Sequence, residues 1–246
     1  MTTAAGVIIG DEILSGKVQE TNAGPLIRTM SGAGVTLRRI AVIPDEPELI
    51  AAEVRRCSEA YDYVVTSGGV GPTHDDCTMQ GVAMAFGVEV VRDPEIERMV
   101  RDHWAERVND AALKLAQLPA GGRLLHSADG LLPLVVFRNV FILPGIPRLF
   151  SAKLERVRRE LQGHRVSVLS VYLSTDESSI AGELTRLVGE FDGVKVGSYP
   201  AVERGGDFRV RVTVEGHDPD EVERAVGRLT ELLPAEVVLR VERDAE

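Results

Sequence analysis

The sequence predicts an α/β protein: a three-layer α/β/α domain with a mixed, mainly parallel sheet, followed by a small α+β domain. Three observations carry that prediction. Short apolar runs alternate with stretches of helical period over residues 1–90, giving strand, helix, strand, helix, strand, helix. The early apolar runs end at Gly10, Pro44 and Gly68, residues that let a chain turn sharply out of a buried sheet. After residue 163 the order changes to β-α-β-β-α-β, a split βαβ arrangement. The expected domains are therefore residues 1–163 and 164–246.

Ala4 to Ile9 reads as the first buried strand. Gly10 allows a tight exit and leaves Asp11 and Glu12 at the strand's C-terminal end; Ile13 to Gly16 continues as a loop. Thr21-Asn22 precedes Leu26, Ile27, Met30 and Ala33, the apolar stripe of a helix capped at its start and ended by Gly34. Val35 to Ile43 is the second strand, and Arg38 and Arg39 mark an edge or a ligand-facing portion of it. Asp45 is placed as N-cap of the next helix, with Pro47 near its first position and Ile50, Val54, Cys57 and Tyr61 inside. Tyr63-Val64-Val65 is the third strand. Met79, Val82, Ala83 and Phe86 give the stripe of the helix after it.

Further on, Val88 to Val91 reads as a short strand, and Asp93-Pro94 starts a helix. A second helical piece runs from Asn109 to Leu118. Strands are expected at Arg123–His126, Leu134–Phe137 and Val140–Leu143, then a helix to about Gln162. The second domain is expected to place strands at 166–173, 194–199, 208–215 and 237–241, with helices at 177–188 and 219–232. Arg209, Arg211 and Arg240 alternate with valines there, as on one solvated face of a sheet. Residues 242–246 are expected to fray.

Composition narrows the function. The net charge of −10, from 28 basic and 38 acidic residues, argues against a general nucleic-acid binder, so nucleic acid is not an expected partner. No apolar run approaches the roughly 18 residues of a membrane span, and no basic region precedes the first strand. Cys57 and Cys77 form neither a disulfide framework nor a zinc pattern. A cytoplasmic protein with no membrane partner is expected.

The chemistry-bearing stretch is Thr66-Ser67-Gly68-Gly69-Val70-Gly71-Pro72-Thr73-His74-Asp75-Asp76-Cys77-Thr78. Its glycines permit positive φ and close approach of a ligand to the main chain. The amides of the next helix's first turn have no internal partner and can face an anion. A glycine turn and an aspartate cap are common structural devices, but a cap needs one Asp, not two. Asp75 and Asp76 with Thr73 suit either a hard cation that bridges to phosphate or a heterocycle's N–H groups. Gly10-Asp11-Glu12, Asp45 and the glycine turn fall at the C-terminal ends of three strands, where open α/β sheets bind ligands. Leu143-Pro144-Gly145-Ile146-Pro147 is a stiff turn that serves as a connector or as a further wall of that crevice.

Gly10 to Gly16 with Thr21-Asn22, Thr66 to Thr78, Leu143 to Pro147 and Ser174-Thr175-Asp176-Glu177-Ser178-Ser179-Ile180-Ala181 resemble, in order, the motifs of the competence/damage-inducible protein A (CinA) family. The resemblance implies a molybdopterin-binding-like domain and a small KH-like domain. It implies cofactor chemistry at Asp45 and Asp76. It also implies metal-dependent hydrolysis of ADP-ribose-type dinucleotides, or of FAD as in relatives of FAD synthetase. On this reading the catalytic residues are Asp76, Asp75, Asp45 and Glu12. Asp75 and Asp76 hold Mg, Mn or Co, with Asp11 or Glu12 beside them. The ligand lies against Gly10, Asp11, Ser67, Gly68, Gly69, Gly71, Pro72, Thr73, Pro144, Gly145 and Pro147. The alternative is a protein that binds molybdopterin or another pterin without hydrolysing it. A homodimer is expected. Two departures stand out: Leu149 replaces an acidic residue of the third motif, and His126-Ser127-Ala128-Asp129-Gly130 lacks the family's Asn. The family's amidase domain has no counterpart in these residues, so no nicotinamide-nucleotide deamidase activity is expected.

Overall fold

The computed structural model describes residues 1–126, 132–164, 166–201 and 207–243. The chain divides into two compact units, Met1–Gly163 and His164–Glu246.

The first unit is built on a six-stranded sheet. Its strands are β1 (Thr3–Ile9), β2 (Thr36–Ile43), β3 (Tyr63–Ser67), β6 (Arg123–Leu125), β7 (Leu134–Phe137) and β8 (Val140–Leu143), in the order β2-β1-β3-β8-β7-β6. β2, β1, β3 and β8 are parallel, and β7 and β6 continue antiparallel. The mixed, mainly parallel α/β class predicted above is the class found.

Between the strands run α1 (Asp11–Leu14), α2 (Ala23–Gly32), α3 (Pro47–Ala60) and α4 (Thr78–Phe86). An excursion then leaves the sheet: β4 (Val90–Arg92), α5 (Pro94–Trp104), α6 (Asp110–Lys114) and β5 (Gln117–Pro119). In it β4 and β5 pair as a separate antiparallel ribbon. α7 (Pro147–Arg158) follows β8.

Alternation along the strands sends side chains to two cores, one on each face. Val7, Ile9, Val64 and Ile142 pack against Ile50 and Val54 of α3 and Val82 of α4. Ala4, Val65, Phe141 and Leu143 pack against Leu26 and Met30 of α2 and Phe150 and Leu154 of α7. α2 and α3 therefore cover opposite faces. β1 sits between β2 and β3, so the chain first moves to one side of β1 and then to the other. That reversal opens a crevice at the strand ends.

In the second unit, β9 (Ser167–Leu173), β10 (Val194–Pro200), β11 (Val210–Gly216) and β12 (Val238–Arg243) form an antiparallel sheet in the order β10-β11-β9-β12. α8 (Ala181–Glu190) and α9 (Pro219–Leu232) contribute Leu187, Val222, Ala225 and Leu229 to one core with Val171, Val212 and Val214.

Several local expectations are corrected. Asp11–Leu14 is one helical turn rather than the start of a loop. Asn22 makes no side-chain cap bond, because Glu20 accepts from the Asn22 and Ala23 amides instead. Ile27 points outward. The N-cap of α3 is Glu46, not Asp45. Helix α6 stops at Lys114, and Gln117–Pro119 is a strand because it has β4 to pair with. Glu242 and Arg243 continue β12 against β9 rather than fraying. Residues 127–130 of the departure noted above, and residues 244–246, lie outside the described residues.

Candidate functional site

The C-terminal ends of β1, β2, β3 and β8 lie together because parallel register aligns them: Ile9 faces Ile43, Ile8 faces Ser67, and Ser67 faces Leu143. Each strand then delivers one turn. Gly10 follows β1 and donates its amide to Ile43 O at 3.1 Å. Asp45 follows β2. The glycine turn follows β3, and Pro144-Gly145 follows β8.

Sterics explain the glycines of the third turn. Gly68 has φ 105°, and a Cβ there would overlap the carbonyl oxygen of Ile9. Gly69 has φ 64°, and a Cβ there would overlap the Thr78 hydroxyl. That hydroxyl donates to Gly68 O at 2.8 Å, and the Thr78 amide donates to Gly69 O at 2.9 Å. The turn is thus sewn to the start of α4. The fourth turn packs onto the third: a Cβ on Gly145 would stand 3.1 Å from Gly68 Cα.

Asn22, read from the sequence as a cap, is the tie between them. It is buried, and its Nδ2 donates to Ser67 Oγ at 2.9 Å and to Gly145 O at 2.8 Å. Its Oδ1 and the Thr66 hydroxyl are buried without a partner among the described residues. Only the fold places Asn22 against residues 45 and 123 positions away in the chain.

The acids take distinct places. Asp45 Oδ2 accepts the Asp11 amide at 2.9 Å. Its carboxyl is raised above the ordinary aspartate value. Burial is the main cause; the Asp11 amide opposes it, and Glu12, Asp11 and Asp75 add repulsion. Asp75 is exposed and held below the ordinary value, first by the Thr73 hydroxyl. Asp76 Oδ2 accepts both the Thr73 hydroxyl and the Thr73 amide, the latter at 2.8 Å. Neither acid caps α4, whose N-cap is Cys77. Asp76 instead closes the loop on Thr73. The Cys77 and Cys57 thiols are buried and each pushed up to about 11, chiefly by desolvation, which disfavours the thiolate at neutral pH.

Beside the turn lies a pocket of about 330 Å³ whose lining includes Gly69, Gly71, Asp76 and Gln80 on one wall and Lys114 and Gln117 on the other. Lys114 Nζ donates to the carbonyl of Thr73. The sequence reading missed Lys114 and Gln117. A lysine in a helical stretch reads as a solvated residue, and only the pairing of β5 with β4 brings this segment to α4. Pro72 and Pro147 are exposed. Leu149, in place of the expected acid, is half-buried in the first turn of α7.

Residues 5–163 match the family model described as probable molybdopterin binding domain. The chain belongs to that family. Within it, the molybdopterin-binding-like unit is similar to the protein CinA of unknown function from Thermoplasma acidophilum. The identity is 30% and the TM-score 0.60, over 65% of this chain and 97% of that one. Residues 165–242 match the middle domain of FAD synthase. A protein from Archaeoglobus fulgidus is 30% identical over 92% of this chain and 96% of its own length. A probable FAD synthase from Caenorhabditis elegans is 33% identical over 96% of this chain, which spans about half (51%) of that protein. The resemblance to CinA proteins read from the motifs stands, and the second unit adds a FAD synthase element to it. Among the described residues, no helix is long and apolar enough to cross a membrane.

Proposed function

We propose that the molybdopterin-binding-like unit binds a dinucleotide of the FAD or ADP-ribose kind at this crevice and hydrolyses its diphosphate with a divalent cation. The observation that carries the reading is the set of carboxylates whose charge acts on Asp45, namely Glu12, Asp11 and Asp75, at the strand ends beside a glycine turn sewn to the start of α4. Asp45, whose carboxyl is raised by burial and which stands at the end of β2 with Oδ2 on the Asp11 amide, is the general base for the attacking water. Asp76 fixes the loop through Thr73 and keeps Oδ1 for the ligand.

Among the described residues, no group of three or more His, Cys, Asp or Glu side chains is placed to hold a metal. A cation preassembled on the protein alone does not fit that donor set. Mg²⁺ held by one or two carboxylates plus substrate phosphates does. Mg, Mn or Co would then enter with the diphosphate, and Asp75 with Glu12 would complete its shell. The cation would neutralise the diphosphate charge, which otherwise meets an acidic crevice. The names of the Caenorhabditis relatives, probable FAD synthases, support a flavin dinucleotide as the ligand class.

The test is incubation of purified protein with FAD and with ADP-ribose in Mg²⁺, Mn²⁺ or Co²⁺, with separation of the mononucleotide products. Cleavage abolished by joint Asp75→Ala and Asp76→Ala replacement is expected. No cleavage with any cation, or a silent double variant, sinks the hydrolase reading. The family description favours a second reading, in which the crevice holds a pterin without turnover. Co-purification of a fluorescent pterin, with no cleavage of either dinucleotide, would move the assignment there.

A further inference from the structure

We propose that the pocket between α4 and the β4–β5 excursion holds one mononucleotide half of the substrate, with its phosphate on Lys114. The proposal rests on the dinucleotide reading above and assigns each side of the pocket a task. Small-molecule sites span roughly 300–1,000 Å³. At about 330 Å³ this pocket is sized for one nucleotide half and not for a whole dinucleotide. The other half must then lie along the open strand ends.

The lining suits that ligand. Val70, Met79 and Leu115 supply apolar surface for a planar ring. Gln80 of α4 and Gln117 of β5 each bring a carboxamide, and neither side chain is hydrogen-bonded within the protein among the described residues. A carboxamide offers a donor and an acceptor together, the pattern that a heterocycle's edge requires. Among the described residues, Lys114 is the one lysine or arginine that lines the pocket. Its ammonium rests on the Thr73 carbonyl, forms no ion pair among the described residues, and keeps two of its three donors for a phosphate. It lines the same pocket as Asp76, and both side chains bond to Thr73, so the phosphate it holds would sit beside the acids. The excursion would thus be the recognition wall, and the sheet ends the reacting wall.

The test needs no turnover. Calorimetric titration of the full chain with AMP, adenosine, FMN and riboflavin separates the phosphate contribution from that of the ring. It also identifies which half enters. A charge-assisted hydrogen bond is worth about ten- to a hundredfold in affinity. One mononucleotide is therefore expected to bind at least tenfold more tightly than its nucleoside. Lys114→Met should bring that ratio close to one and leave nucleoside affinity unchanged, whereas Lys114→Arg should preserve most of it. Joint Gln80→Ala and Gln117→Ala should weaken nucleoside and nucleotide alike. Should Lys114→Met melt early, Lys114→Gln carries the same comparison. The proposal is overturned if neither mononucleotide binds, or if the ratio survives loss of the lysine. Cleavage of FAD by a protein whose ratio ignores Lys114 overturns the pocket and keeps the function. Lys114-dependent binding without cleavage does the reverse.

Discussion

Asp45 illustrates how one side chain is set by its surroundings. Because the fold raises its carboxyl, the native state binds the proton more tightly than the unfolded chain does. The associated stabilisation is complete below the ordinary value of 3.8 and is lost as pH rises through the raised one. At neutral pH ionised Asp45 is a cost. Asp45→Asn keeps an acceptor for the Asp11 amide, so it is expected to raise Tm at pH 7, with the gain shrinking toward pH 3. If Asp45 is the base, the same variant lowers diphosphate hydrolysis by about 10²–10⁴-fold. A lower Tm at pH 7 would contradict the electrostatic account. Gly68→Ala has no such relief, since its Cβ meets backbone at a positive φ. It should destabilise the first unit by about 2–3 kcal/mol, read by urea denaturation. Gly68, Gly69, Asp75 and Asp76 were legible in the sequence because they sit in one contiguous motif. The dual bond of Asn22 was not, because its partners come from distant segments. Asn22→Ala should cost about 1–3 kcal/mol by the same measurement and weaken ligand binding, as the third and fourth turns lose their tie.

At the scale of elements, β2 and α3 are held by more than their cores. Glu53 on α3 pairs with Arg39 of the edge strand β2 at 2.9 Å and with Arg56 at 2.6 Å. Its carboxyl is lowered to about 2, chiefly by the hydrogen bond from Arg56. A lowered carboxyl stabilises the fold above its ordinary value of 4.5, and that contribution is lost as pH falls toward about 2. Glu53→Gln should therefore cost about 1–2 kcal/mol at pH 7, discounted for partial solvent screening, and almost nothing at pH 2. Denaturant titration at the two pH values checks this. β2 is the edge strand that Arg38 and Arg39 pointed to, and the Nε of Arg39 donates to Glu53. In the second unit, Arg240 stacks 3.9 Å from the Tyr172 ring centroid, with Phe208 edge-on to Tyr172 at 5.0 Å. The open sheet face is therefore less purely solvated than the arginine–valine alternation suggested.

For the whole molecule, the cores divide as the chain does. Two clusters draw only on residues of the first unit, and one only on residues of the second. Separate expression of residues 1–163 and 164–246 is expected to give two soluble species, each melting cooperatively. If either half lacks a cooperative transition, its core is not self-sufficient. Joint loss of both transitions would mean that the two units fold only together.

The sequence by itself determined the main strand–helix alternation of the two units, the fold class and the segments that supply Gly10, Asp45, Gly68 and Gly145. Hydrophobic period, turn chemistry and parallel-strand logic are local or nearly so, and they act through short stretches of chain. Tertiary structure alone decided what each polar group does there. Asp45 accepts an amide from another turn instead of capping its own helix, Asp76 closes a loop, and Asn22 joins two turns. Lys114 reaches the crevice because a β-ribbon folds back over α4. Apart from the Asp76–Thr73 bond, which spans three residues, these are long-range pairings. Hydrogen-bond partners and burial are set by which segments the packed cores bring together, and no local pattern encodes that.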